Sequence, residues 1–214
     1  MPNYNKIDVY IDFKSPYAYL SIDPTRKLAK KEKLIINWLP YVLDIPKYLG
    51  SAKVDNDKNI IETNRNDHHW RRVKYSYMDC RRYANTRNIT ILGTQKIWDT
   101  RLISMLMLWI KNNYKEKLDD FIDLTYTSFW KRELDLESED VIVGILEKLQ
   151  IEDEKFLLWK NQKGEIELNL IMNEAHKKGI FGVPSYIYEK ELFWGREQLP
   201  MISARISGNY KNIV

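Results

Sequence analysis

The chain has 214 residues, 44% of them hydrophobic, with 14 Tyr, 7 Trp and 6 Phe; this suffices for one large domain, or for a small α/β domain carrying a second subdomain, without covalent staples. Only 8 Gly and 7 Pro exclude long flexible linkers and broad disorder. The 34 basic and 30 acidic residues are dispersed and leave a net charge of +4, which excludes the concentrated basic stripe of a nucleic-acid binder, while a single cysteine, Cys80, excludes an internal disulfide and a Cys-x-x-Cys redox pair.

Residues 1–13 (MPNYNKIDVYIDF) show no basic segment followed by a signal-length apolar core, and no run of about 18 apolar residues occurs. A cytoplasmic protein without a membrane segment is the expectation. Residues 7–13 (IDVYIDF) alternate and are rich in β-branched and aromatic types, which predicts a strand. Lys14-Ser15-Pro16 stops it. Ser before Pro is a helix start, because the hydroxyl caps free backbone N–H groups and Pro fits the first helical position. A helix over 16–32 follows, with Pro24 expected to kink or interrupt it. Residues 34–39 (LIINWL) read as a second strand, so the segment is a βαβ unit with a right-handed crossover expected.

From about 41 to 179 the pattern turns helical. Leu102, Leu106, Trp109 and Ile110 mark one face, Phe121, Leu124 and Thr125 a second, and Val141, Ile145, Leu146 and Leu149 a third. These stripes are core. Residues 165–178 predict another helix, closed by Gly179. No strand alternation stands out in this block, and the polar stretch 51–67 has the weakest claim to order. Two strands then return, 185–188 (SYIY) and 192–194 (LFW), with a hairpin-sized connection, and a last helix starts near Arg196. The order is βαβ, a helical block, then αββα.

Two places carry chemistry. The first is Ser15-Pro16-Tyr17-Ala18. A helix N-terminus presents unpaired N–H groups and about half a positive charge, so it stabilises an anion such as a thiolate. Ser15 is at minimum an N-cap, and its hydroxyl can also donate to a thiolate brought by a ligand. The second is Gly182-Val183-Pro184-Ser185. Pro184 suits a strand start. It is either a plain trans loop proline or a cis one that turns backbone groups toward a peptide-like ligand.

These places carry a resemblance. Phe13-x-Ser15-Pro16-Tyr17-Ala18-Tyr19-Leu20, Gly182-Val183-Pro184 and Leu192-Phe193-Trp194-Gly195, with Tyr77-Met78-Asp79-Cys80-Arg81-Arg82-Tyr83-Ala84 between them, resemble the 2-hydroxychromene-2-carboxylate isomerase family, which groups with kappa-class glutathione transferases and DsbA-type thioredoxin proteins. The resemblance implies an α/β, thioredoxin-like fold with an all-helical insertion: residues 1–40 and 179–214 form the thioredoxin-like domain, and 41–178 the insertion. It implies glutathione, or another low-molecular-weight thiol, with its sulfur beside Ser15 and its backbone paired with Val183 before a cis Pro184. The γ-glutamyl end falls to Glu197 and Gln198. The family usually shows Gly-Gln-Asp-Arg-Leu there; this chain reads Gly195-Arg196-Glu197-Gln198-Leu199, keeping the charge with one methylene more. A family segment with an Asn and a Pro pair after the second strand is missing. Tyr48, Ser51 and Lys53 stand nearby, none of them assigned.

The implied chemistry is reversible addition of the bound thiolate to a conjugated electrophile. Release after rotation gives cis–trans isomerisation, and retention gives a conjugate. The implied pocket lies between the two halves, where Tyr17 either lines it or packs in the core. A homodimer follows by analogy. His68-His69 point apart and suggest no metal. His176 reads as a helix-surface or packing residue, and Cys80 as a small apolar one or an adventitious thiol. Arg71, Arg72, Arg81 and Arg82 form a solvated helix face, or else attract an aromatic carboxylate substrate. The leading expectation is a glutathione-dependent isomerase. The alternatives are a kappa-like glutathione transferase, a DsbA-family oxidoreductase relative, which the missing cysteine pair counts against, and a non-catalytic thioredoxin-fold binding module.

Overall fold

A computed structural model describes residues 6–55, 57 and 59–210. The first five and last four residues, which the expected outer segments 1–40 and 179–214 include, and residues 56 and 58 within the polar stretch lie outside the described residues.

Strand β1 (Lys6–Ile11) is one of the two inner strands of a four-stranded sheet of order β2-β1-β5-β6. It pairs in parallel with β2 (Ile35–Pro40) and antiparallel with β5 (Ser185–Tyr188), which forms a hairpin with β6 (Glu191–Trp194). Ile7, Val9, Tyr10 and Ile11 are all buried. A central strand covered on both faces needs such an apolar run. The β5–β6 loop is two residues long: Glu189 and Lys190 both have positive φ, 49° and 72°, the backbone that matches the twist of a tight hairpin.

Helix α1 spans Pro16–Glu32 without interruption. Pro24 lies inside it, and the helix is not interrupted there. Proline removes the N–H that would bond the Leu20 carbonyl. That carbonyl instead accepts from Arg87 Nη1 at 2.7 Å, and the freed acceptor is satisfied from outside the helix. Thr25 and Tyr186 hydroxyls meet at 3.2 Å and tie α1 to β5.

The block between β2 and β5 holds α2 (Ile45–Leu49), α3 (Asp67–Asn85), α4 (Arg101–Asn113), α5 (Leu118–Trp130), α6 (Glu139–Lys148), α7 (Glu154–Trp159) and α8 (Glu165–Lys177), with a π-helical turn, Lys160–Gly164, joining the last two. The apolar stripes at 102–110, 121–125 and 141–149 fall on α4, on α5 and along α6 to its C-cap, and bury their faces in one continuous core. The block is not wholly helical. β3 (Ala52–Val54) and β4 (Ile60–Thr63) form an antiparallel hairpin in the polar stretch. Its four β4 residues are all exposed, so no buried face prints an alternation on the sequence. A final helix α9 (Leu199–Ser207) packs on α1. No helix among the described residues is long and apolar enough to cross a membrane.

Candidate functional site

The loop from β1 to α1 is fixed by its own polar groups. Ser15 has extended backbone (φ −96°, ψ 115°), and its Oγ accepts from Ala18 N at 3.2 Å, an N-cap. Ser15 N donates to Asp12 O at 3.0 Å. The buried Asp12 carboxylate accepts from Lys14 N at 3.2 Å and from Leu43 N at 2.7 Å, joining this loop to the one after β2. Lys14 is buried too; its Nζ lies 3.6 Å from Asp12 Oδ2 and donates to Trp98 O at 3.2 Å. From α5, Tyr126 O–H donates to Asp12 O at 3.0 Å. Burial holds that phenol far above its ordinary range, so it remains a donor. Phe13 packs on Phe121 and Tyr126, with ring centroids 5.5 and 4.8 Å apart.

The second part is the bond Val183–Pro184, which is cis. Val183 precedes β5, and its N–H and C=O enter no hydrogen bond among the described residues. Pro184 O accepts from Gly195 N at 2.9 Å, and Ser185 Oγ donates to Gly182 O at 2.7 Å. These bonds hold the turn on both sides. Gly182 has to be glycine, since a Cβ there would come within 2.8 Å of the Trp194 indole nitrogen.

Ser15, Tyr17 and Val183 line one cleft of about 1630 Å³. It lies between this loop pair, α3, the segment around 92–98 and the start of α2. Pro184 is buried behind Val183 and is not part of the lining. Glu197 and Gln198 are not part of the lining; they lie on the 3-10 turn Arg196–Gln198, just after Trp194, which is. The Glu197 carboxylate folds back over Gly195, where a Cβ would overlap it. Tyr48 lines the cleft; Ser51 and Lys53 do not.

Tyr17 is both of the things expected of it. Its ring lines the cleft, while its hydroxyl is turned inward and donates to Asp79 Oδ2 at 3.2 Å. Burial, then the neighbouring Cys80 and Asp79, push its pKa well above the ordinary phenol value. Cys80 is fully buried beside it, and burial pushes the thiol up to about 12. This is the inert microenvironment of a structural cysteine, the opposite of an activated one. His176 is exposed on α8, lines the cleft and packs edge-on against Tyr41. The His68 and His69 rings sit 6.5 Å apart, and His69 N is tied to the cap of α3. Arg72, Arg81 and Arg82 face the cleft; Arg71 is not among its lining.

Sequence reasoning passed over Asp12 and Lys14. Their signal was two opposite charges flanking Phe13 just after the apolar run Val9-Tyr10-Ile11. It also passed over Arg65, Lys96 and Arg132, which reach the cleft from separate segments and share no motif.

The sequence model of the DSBA-like thioredoxin domain matches residues 6–207. Two proteins named 2-hydroxychromene-2-carboxylate isomerase are each 22% identical: one from Sphingobium xenophagum over 205 residues, 92% of this chain and 96% of that protein, and one from Pseudomonas sp. (strain C18) over 208 residues, 94% and 90%. Among solved structures, a 2-hydroxychromene-2-carboxylate isomerase superposes with a TM-score of 0.71 at 19% identity, covering 95% of each chain. A probable DsbA oxidoreductase of Streptomyces coelicolor superposes at 0.72 and 13% identity, covering 98% of this chain and 92% of the other. The fold is therefore the DsbA-like thioredoxin fold with a mainly helical insertion, and the chain belongs to the DSBA-like thioredoxin domain family.

Proposed function

We propose that this chain is a glutathione-dependent isomerase that works on a conjugated electrophile of the 2-hydroxychromene-2-carboxylate type. The observation that carries the reading is that Ser15 and Val183 line one cleft, and that the Val183 backbone makes no hydrogen bond among the described residues. With Ser, Pro, Tyr and Ala at positions 15–18 and one cysteine in the chain, the protein has no dithiol of its own to exchange, so the relatives named isomerase are the better guide than those named oxidoreductase.

The residues present fit a peptide-like thiol. Val183, just before β5, offers one N–H and one C=O that no other described residue uses, the pair of groups that an extended peptide backbone needs. Ser15 Oγ uses one lone pair on Ala18 N, leaving its O–H to donate. Tyr17 N and the positive end of α1 lie beside it. The sulfur would supply a nucleophile that adds reversibly to a double bond, and rotation before release exchanges cis for trans. Ser15 and the helix end favour the anionic sulfur, and the buried Asp12–Lys14 pair holds the loop that presents them. The Tyr17 ring and the apolar part of the wall exclude water from the electrophile.

Calorimetric titration with glutathione and a spectrophotometric assay on 2-hydroxychromene-2-carboxylate test this. The native chain should bind and turn over. Ser15→Ala should lower turnover by about 10²-fold, the usual effect of losing one donor to a reacting anion, with the fold intact by circular dichroism. Glutathione that fails to bind, or turnover unchanged in the variant, defeats the reading.

A further inference from the structure

Nine of the residues lining the cleft are Lys or Arg, against one acidic residue, Asp44, although the whole chain carries only +4. Three of the nine have carboxylate partners: Lys14 with Asp12, Arg82 with Asp79 and Lys96 with Glu137. The other six, Lys47, Arg65, Arg72, Lys74, Arg81 and Arg132, pair with no carboxylate among the described residues. The arginines are instead fastened to neutral carbonyls. Arg81 Nε and Nη2 donate to Ile91 O and Leu92 O at 3.0 and 2.9 Å, and Arg132 Nε donates to Gly93 O at 2.8 Å. Arg65 Nε donates to Leu49 O at 3.1 Å.

A carbonyl orients a guanidinium without cancelling its charge. Arg81 and Arg132 thus converge on one glycine, Gly93, whose φ of +87° lets the loop turn between them. Each keeps N–H donors beyond those used here, in the fork geometry that suits an oxyanion. Burial lowers the Arg65 pKa, the mark of a cation held without a counter-charge. Concave walls of one sign focus the field and raise the local concentration of anions.

The geometry points to a polyanion subsite on the α3 side of the cleft, taking a phosphate ester or diphosphate carried by a ligand. This rests on reading the cleft as a thiol site and adds to it. Glutathione as its thiolate brings two net negative charges, and a carboxylate-bearing electrophile one more. Even with Asp44 counted, that leaves two of the six cations without a counter-charge just when a ligand covers them, and unpaired charges withdrawn from water are costly. A phosphorylated ligand supplies the balance. The phosphate is carried either by the thiol, as in coenzyme A, or by the electrophile.

The test is titration of the whole chain with inorganic pyrophosphate, coenzyme A and pantetheine, read by tryptophan fluorescence, since Trp70, Trp98 and Trp194 line the cleft. Pyrophosphate should bind, and more weakly as salt rises. Arg72→Gln with Lys74→Gln should weaken it about tenfold at an unchanged melting temperature, because both side chains are exposed. Arg81→Gln, which also frees the 91–92 carbonyls, should weaken it at least as much. Coenzyme A binding more tightly than pantetheine places the phosphate on the thiol. Equal binding of the two, with pyrophosphate still held, places it on the electrophile. Pyrophosphate that does not bind, or that binds native and doubly substituted chains alike, overturns the proposal. Ser15→Ala should leave pyrophosphate affinity unchanged, and a native chain that holds pyrophosphate but not glutathione would sink the isomerase reading and not this one.

Discussion

The two sides of the cleft are built by different means. On the sheet side, Ser15, Val183 and cis Pro184 are buried and uncharged, and the turns that carry them are held by hydrogen bonds to neighbouring backbone. On the α3 side, exposed cations reach out from several segments and rest on carbonyls. The first kind of wall fixes individual atoms to within a fraction of an ångström, as a reacting centre requires. The second sets a field, which tolerates side-chain motion and acts on a ligand's net charge. The contrast teaches that position and attraction can be assigned to separate elements in one cleft, and each can be perturbed without the other.

The sharpest way to break the sheet side is Asp12→Ala. It removes the acceptor for Lys14 N and Leu43 N and strands the Lys14 ammonium in the interior. A buried charge left without its partner costs about 3–5 kcal/mol. Urea unfolding should show a loss of that size, together with weaker thiol binding. A loss under about 1 kcal/mol would mean that the pair is screened by solvent and does not brace the loop.

The seam between the two sides, where Tyr17 meets Asp79 and Cys80, should be sensitive to alkali. The folded Cys80 thiol is pushed up to about 12 by burial, whereas an unfolded one ionises near roughly 8.5. Between those values the native state holds the proton that the unfolded state has released, so stability falls as pH rises through that window. The drop should reach about 2 kcal/mol by about pH 10, read from unfolding curves at a series of pH values. Cys80→Ala should flatten the slope. An unaltered slope would assign alkaline sensitivity to the buried tyrosines instead.

The smallest expected effect lies away from both sides and serves as a control. Burial, then Lys6, push Lys111 on α4 down to about 8. In the unfolded chain its pKa is roughly 10.4. The charged form is therefore disfavoured in the fold, a penalty present in full below about pH 8 and relieved as pH climbs toward roughly 10.4. Because Lys111 is only partly buried, solvent screens most of this penalty, and Lys111→Met should raise stability by only about 1 kcal/mol at neutral pH, fading in alkali, with no change in glutathione or pyrophosphate binding. A change in either would mean that α4 helps shape the cleft.

Much of the architecture was legible in the residues. The segment 7–13 gave away β1, the Ser-Pro step set the start of α1 to the residue, and SYIY named β5. Each is written by local chemistry: alternation, a cap, a fixed φ. The same text left open an interruption at Pro24 that does not occur, because the rescue of the Leu20 carbonyl comes from Arg87, sixty-seven residues away along the chain. It missed the β3–β4 hairpin, whose second strand is exposed along its length, since periodicity appears only where one face is buried.

The strands of the main sheet, the cap at Ser15 and the absence of a cysteine pair were readable from the residues alone, because each depends on neighbours within a few positions or on composition. Only the tertiary structure decided that Ser15 and Val183 share a cleft, that Tyr17 turns its hydroxyl inward, and that cations from five separate stretches of chain face one space. Those are contacts between residues far apart along the chain. Their proximity follows from how the core packs, which no local pattern records.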